Sequence, residues 1–86
     1  MTENREITFE IVEHIGVLQA HSTGWNKEVN LVSWNGNPAK VDIRDWDPSH
    51  ERMSRGITLS FEEAHRLRCF MNERNLMPTD RYEVDR

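Results

Sequence analysis

The chain has 86 residues, of which 36% are hydrophobic and 30% charged, and its formal net charge is −4. A chain of this length fits one domain that buries only about 60–65% of its unfolded surface, so we expect modest stability unless it dimerises. It contains no apolar run near the ~20 residues of a membrane helix, and its one cysteine, Cys69, excludes an internal disulfide.

These properties predict one cytoplasmic domain over residues 1–86, with a core over about 7–76 and flexible termini at 1–5 and 78–86. The acidity does not exclude nucleic acid, because it lies at the two ends of the chain. Between Trp25 and Thr58, five basic residues balance five acidic ones.

The N-terminal half of the chain has the pattern of β-strands. The stretch from Ile7 to Ala20 is rich in β-branched residues, and Gly16 within it is a candidate bulge. After a turn at 21–24, a second strand is predicted over Lys27–Trp34. The Asn35-Gly36 pair then indicates a hairpin.

The third strand is predicted over Ala39–Trp46, followed by a loop over 47–55 and a short strand at Gly56–Ser60 with Ile57 and Leu59 facing inward. In the hairpin we expect Trp34 to lie opposite Lys40 and Leu31 opposite Ile43.

This register divides the hairpin into two faces. One carries Asn30, Trp34, Lys40, Arg44 and Trp46, and we call it the tryptophan face. The other carries Leu31, Ser33, Val41 and Ile43 and is predicted to be the core. Two interpretations of the tryptophans remain open at this point: exposed platforms for nucleobases, or edges of the core with Arg44 covering one ring by a cation–π contact.

The last element is a helix that begins after Ser60 and ends near Asn75. Ser60 and Glu63 have the spacing of a capping box. Its apolar residues cover an arc of about 180°, wider than the ~100° that one supporting surface needs. We therefore expect the helix to contact both its own sheet and a second subunit, with Leu67, Phe70 and Met71 at the dimer interface.

The sequence has few signs of catalysis. Its four histidines lie on different predicted elements without metal-ligand spacing, and it has neither a phosphate-binding glycine loop nor a nucleophile elbow. We therefore expect no enzyme activity, no metal and no cofactor.

The run "VDIRDWDPSHERMSRGITLS", from Val41 to Ser60, resembles the signature of the positive-cofactor-four family of single-stranded-DNA-binding transcriptional coactivators. The pattern is a D-I-R strand, an aromatic, an acidic-proline turn, a basic-glycine step and an I-[ST]-L strand before a helix. The upstream "GWNKEVNLVSWNG" is similar to that family's second strand and hairpin, and the small bacterial YdbC-like branch is closest.

The resemblance implies an α+β fold: a strongly curved, four-stranded antiparallel sheet followed by one C-terminal helix, assembled as a homodimer whose sheet channels bind unpaired DNA. By position it assigns nucleic-acid contacts to Lys27, Trp34, Arg44, Trp46 and Arg55, and the tryptophan face adds Asn30 and Lys40. We therefore expect Trp34 and Trp46 to be exposed stacking platforms more than core. The family often has lysine beside the hairpin glycine, where this chain has Asn35 and Asn37. That departure implies weaker attraction for phosphates.

The function we expect is a homodimeric, sequence-tolerant single-stranded-DNA-binding protein of the coactivator type, acting in transcription or in replication and repair. We expect it to be cytoplasmic and nucleoid-associated, with the transcription machinery as a further partner. The alternatives are an RNA chaperone similar to cold-shock proteins and a protein-interaction module that uses the tryptophan face or the helix.

Overall fold

A computed structural model describes residues 7–78, which form one antiparallel sheet followed by one helix. The elements in chain order are β1 (Phe9–Ala20), β2 (Asn26–Trp34), β3 (Lys40–Trp46), β4 (Met53–Leu59) and α1 (Phe61–Arg74). The strands are neighbours in the order β1-β2-β3-β4. The predicted α+β fold is confirmed. The termini predicted to be flexible lie outside the described residues, except for Pro78.

The register of β2 against β3 differs from the predicted one by two residues. Val32 pairs with Lys40 and Leu31 with Val41, so the predicted pairing of Leu31 with Ile43 is wrong. Beyond Val32 the end of β2 pairs only with β1, Trp34 with Phe9, because on the β3 side the chain already turns at Asn35-Gly36, where the Asn37 N–H bonds the Trp34 carbonyl. A shift of two residues keeps every side chain on its predicted face.

The hairpin turn has the geometry that Asn-Gly favours. Asn35 and Gly36 both have positive φ, at 52° and 76°, as the two central residues of a type I′ turn require. The Asn37 N–H donates to the Trp34 carbonyl at 2.9 Å and closes the turn. The predicted hairpin is confirmed.

The sheet is buried on the face opposite to the predicted one. Val32 and Trp46 are its buried hydrophobic residues, and both lie on the tryptophan face. On the other face Leu31, Val41 and Ile43 are only half-buried. Ile57, predicted to face inward, is 52% exposed.

Strong curvature explains this reversal. The rings of Phe9 and Trp46 lie 5.1 Å apart, although Phe9 pairs with Trp34 and Trp46 pairs with Asn26 at the other end of β2. Eight residues of flat strand would separate those ends by about 26 Å. Three register shifts bend β1, and Gly16 adjoins the middle one, in agreement with the predicted bulge.

Strand β4 begins at Met53, so residues 53–55, predicted as loop, belong to the strand. The pairs Arg44↔Gly56 and Trp46↔Met53 leave Ser54 and Arg55 opposite Asp45 alone. This two-against-one arrangement is a β-bulge on an edge strand.

Helix α1 begins at the predicted capping box. The Glu63 N–H donates to Ser60 Oγ at 3.0 Å, and the Ser60 N–H donates to Glu63 Oε1 at 2.8 Å. Asn75, with φ of 52°, caps the C-terminus in the left-handed conformation, so the helix ends before Pro78 is reached.

The helix lies against β3 and β4, and none of its own residues is buried. Its large apolar side chains stay exposed, among them Phe61, Leu67, Phe70 and Met71. Within residues 7–78, no helix is long and apolar enough to cross a membrane.

Candidate nucleic-acid interface

An open groove of about 540 Å³ lies between the end of β2 and strand β4, and we call it the Trp34 groove. Its lining residues are Ile7, Trp34, Asn35, Arg44, Met53, Ser54, Arg55 and Thr58. Three of the residues predicted to bind nucleic acid, Trp34, Arg44 and Arg55, therefore meet around one groove.

Arg44 is held in the groove wall by a buried ion pair with Asp42. Its Nε donates to Asp42 Oδ1 at 2.6 Å and its Nη2 to Asp42 Oδ2 at 2.8 Å. Asp42 is 0% exposed, and the Arg44 side chain is 13% exposed. Such a two-point pair fixes the plane of the guanidinium as well as its position.

Two further groups complete this pair. Thr58 Oγ1 donates to Asp42 Oδ2 at 2.9 Å, and Arg44 Nη1 donates to the Ser54 carbonyl at 3.2 Å. Each nitrogen of the guanidinium therefore has an acceptor. The two remaining N–H groups have only long contacts, from Nη1 to Met53 Sδ at 3.8 Å and from Nη2 to Thr58 Oγ1 at 3.5 Å, so all the short hydrogen bonds of Arg44 are directed to protein groups.

The fixed guanidinium covers one side of Trp34. The Arg44 Cζ lies 4.7 Å from the ring centroid, which is cation–π geometry. Phe9 packs against the same indole at 6.0 Å and 50°. Trp34 is half-buried, so part of the indole is held by Arg44 and Phe9 while its accessible part lines the Trp34 groove.

Gly56 makes room for Arg44. Gly56 is the β4 partner of Arg44, and a Cβ built on it would overlap the Arg44 Cβ and the Ile43 carbonyl oxygen. Any larger residue would push β4 away from β3. This contact gives a physical reason for the glycine in the basic-glycine step of the sequence.

Trp46 lies in the core, and the prediction that it is exposed is wrong. The residue is 1% exposed, and its ring packs against Phe9 at 5.1 Å and His50 at 5.7 Å. It shares the face of Trp34, as predicted, but the curvature of the sheet closes that face over it.

Asn30, also predicted to contact nucleic acid, is 0% exposed and belongs to a polar cluster around Glu28. Its Nδ2 donates to Glu28 Oε1 at 3.1 Å, and its Oδ1 lies 2.7 Å from His14 Nδ1. His50 Nε2 lies 2.9 Å from Glu28 Oε2. The sequence gives no signal for this cluster, because its members come from β1, β2 and the β3–β4 connection.

The two predicted lysines lie away from the Trp34 groove. Lys27 is exposed and pairs with Asp45, so it belongs to the face opposite Trp34. Lys40 lines a separate surface depression with Ser60 and residues of the first helical turn. Arg55 lies at the bulge of β4 and is exposed. It is the arginine of the Trp34 groove lining whose charge is accessible to a ligand.

The β3–β4 connection is organised by Asp47. Its carboxylate accepts from the Glu51 N–H at 2.9 Å, the Arg52 N–H at 3.1 Å and the Ser49 hydroxyl at 3.0 Å. The backbone hydrogen bond from Arg52 is the largest cause that lowers the pKa of Asp47 below its ordinary value of 3.8. Across residues 7–78, no three histidine, cysteine or carboxylate side chains form a group that could hold a metal ion.

Comparison with known proteins identifies the family of the chain. Residues 21–69, more than half of the chain, match the family model described as transcriptional coactivator p15 (PC4). An uncharacterized protein of Treponema pallidum (strain Nichols) is 37% identical over 75 residues, which cover 87% of this chain and 88% of that protein. The matched segment includes Trp34, Arg44 and the bulge of β4.

Proposed function

Because the chain belongs to the transcriptional coactivator p15 (PC4) family, we propose that it binds single-stranded DNA with little sequence specificity. The observation that carries this proposal is the Trp34 groove, in which an aromatic ring held by Arg44 shares the lining with the exposed Arg55. We propose that the protein acts by binding rather than by catalysis.

Trp34 is suited to stack on a nucleobase. Its ring is held by Arg44 and Phe9, so little conformational entropy is lost when a base packs on the accessible part. A base–aromatic stack contributes about 1–3 kcal/mol and tolerates any base, since every base has a π-face. Stacking as the main contact therefore favours binding without sequence preference.

Arg55 is the proposed phosphate ligand of the groove. It lies exposed at the lining of the groove, whereas Arg44 is committed to Asp42. We propose that Arg44 acts mainly by positioning Trp34. The two lysines predicted to contact nucleic acid, Lys27 and Lys40, would reach the DNA only where it extends beyond the Trp34 groove.

We further propose that the protein is a homodimer through α1 and the open face of the sheet. Phe70 and Met71 are 64% and 51% exposed in the single chain, and Ile57 on β4 is exposed as well. A domain of this size that leaves so many large apolar side chains in water gains stability by covering them. Sedimentation equilibrium at micromolar concentration would give twice the chain mass of 10.2 kDa; a stable monomer would contradict the dimer.

Tryptophan fluorescence tests the binding proposal. Oligo-dT, oligo-U and duplex DNA are titrated into the protein at matched ionic strength. The proposal predicts strong quenching by oligo-dT and little by duplex DNA. Stronger binding of oligo-U than of oligo-dT would point to an RNA chaperone. No response to any nucleic acid would point to a protein-interaction module, with the transcription machinery as one candidate partner.

The salt dependence of the same titration tests the role of Arg55. If Arg55 contacts one phosphate, Arg55→Ala lowers the slope of log K against log salt by about 0.7 on a single strand. An unchanged slope would remove Arg55 from the interface. Arg66, exposed on the helix and paired with Glu62, offers the control variant Arg66→Ala.

A further inference from the structure

A second groove, also of about 540 Å³, lies beside the β1–β2 turn, and we call it the turn groove. Its lining residues are His21, Ser22, Thr23, Trp25, Asp45 and Ser54. Ser54 lines the Trp34 groove as well, so the two grooves meet at the bulge of β4. Asp45 belongs to the face of the sheet opposite Trp34, so a strand that occupies both grooves crosses the β4 edge at Ser54. The third tryptophan of the chain lines the second of these adjoining grooves.

We infer that the turn groove takes the next nucleotides of the bound single strand and that Trp25 is a second stacking residue. This inference rests on the proposed function. It extends the binding surface from the Trp34 groove, past Ser54, to the β1–β2 turn.

The turn holds Trp25 in a fixed position. The His21 N–H donates to the Trp25 carbonyl at 2.8 Å, and the Gly24 N–H donates to the His21 carbonyl at 3.0 Å. The Trp25 N–H donates to Thr23 Oγ1 at 3.3 Å. Gly24 has φ of 95°, a conformation that other residues rarely adopt. Trp25 is half-buried and lines the turn groove.

The polar residues of the turn groove suit a sugar–phosphate backbone. Ser22 and Thr23 bring hydroxyls, which are common ligands of phosphate and sugar oxygens. The Thr23 oxygen accepts from the Trp25 N–H, which leaves its hydrogen free to donate.

One carboxylate, Asp45, opposes an anionic strand in this groove. Its Oδ1 lies 3.1 Å from His21 Nε2, which donates to it. The Asp45 N–H donates to Ser54 Oγ at 3.1 Å, and this bond holds the shared edge of the two grooves in place. If a strand passes here, removing the charge of Asp45 without changing its shape should strengthen binding.

Oligonucleotide length separates the two grooves. Affinity is measured for an oligo-dT of about 4 nucleotides, near the smallest site of a single-strand-binding domain, and for one of about 12. We expect Trp25→Ala to weaken binding of the long strand by about 5-fold or more, the equivalent of one stack, and to leave the short strand unchanged. Trp34→Ala should weaken both, and Asp45→Asn should strengthen only the long one.

The failure of this inference differs from the failure of the proposed function. If the wild type binds neither strand, the proposed function fails. If Trp34→Ala loses affinity while Trp25→Ala and Asp45→Asn bind the long strand as the wild type does, the turn groove is no part of the interface.

A second measurement avoids any dependence on the folding of Trp25→Ala. The protein is labelled with 5-fluorotryptophan, and Trp25→Phe and Trp34→Phe assign two of its three fluorine resonances. The long strand should shift the Trp25 and Trp34 resonances, and the short strand only that of Trp34. A Trp25 resonance that does not move with the long strand overturns the inference.

Discussion

The guanidinium of Arg44 lies 4.7 Å from the ring centroid of Trp34, although Arg44 pairs with Glu28, six residues before Trp34 on β2. On a flat strand those six residues would span about 20 Å. The contact exists because the sheet curves until its two ends approach each other. The stacking surface therefore depends on the same buried contacts that hold the fold.

Asp42 should be the strongest single support of that surface. Asp42→Ala leaves a nearly buried guanidinium without its carboxylate, which typically costs about 3–5 kcal/mol. Urea denaturation measures the loss. Glu62→Ala serves as the control, because it breaks the exposed Glu62–Arg66 pair and should cost less than about 0.5 kcal/mol. Equal, small losses in both variants would show that the Asp42–Arg44 pair is not formed in solution.

Trp46 should contribute to stability rather than to binding. Trp46→Ala truncates a fully buried aromatic and should lower the free energy of unfolding by about 3–5 kcal/mol. Trp34 is only half-buried, so Trp34→Ala should cost clearly less in the same denaturation series. A Trp46→Ala protein as stable as the wild type would mean that the ring lies at the surface.

Gly56 and Gly16 differ in the space around them, so alanine substitutions at the two positions can be compared. An alanine at Gly56 would overlap Arg44 and the backbone of Ile43, whereas a Cβ at Gly16 meets nothing within 4 Å. Overpacking of this kind costs about 1–3 kcal/mol, so Gly56→Ala should destabilise the protein and move the Arg44 and Trp34 resonances in NMR spectra. Gly16→Ala should leave stability within about 1 kcal/mol of the wild type. The reverse order would contradict the close approach of β4 to Arg44.

The lowered pKa of Asp47 determines how we expect the β3–β4 connection to respond to acid. Its pKa is lowered in the folded state, chiefly by the Arg52 N–H, so its contribution to stability is fully present above the unfolded value of 3.8. That contribution is lost as the pH falls through the lower folded pKa. An NMR titration should show the Glu51 and Arg52 amide shifts following the Asp47 carboxyl below pH 3.8. Asp47→Asn should remove this step, and amides that titrate unchanged in the variant would assign it to another group.

The sequence predicted the elements that depend on neighbouring residues. Alternation along the strands, the Asn35-Gly36 turn and the Ser60–Glu63 capping box are local signals, and each is found in the structure. The division of the hairpin into two faces also held, because a strand's side chains alternate whatever its register.

What the sequence could not predict depends on contacts between distant segments. The residue at which the β2–β3 pairing ends, Val32 against Lys40, is one such feature, because several connection lengths are compatible with the same alternation of side chains. Which face is buried depends on curvature, and curvature arises from the bulges of β1. For this reason Trp46 and Asn30 were expected at the surface and lie in the core.

The affinity of Trp34 variants for oligo-dT tests the central claim most directly. Wild type, Trp34→Phe and Trp34→Ala are titrated against one labelled oligo-dT at fixed salt, after circular dichroism has verified that each is folded. The proposed function predicts that Trp34→Ala binds about 5- to 150-fold more weakly, equivalent to about 1–3 kcal/mol, and that Trp34→Phe keeps most of the affinity. A folded Trp34→Ala protein that binds oligo-dT as tightly as the wild type would contradict it.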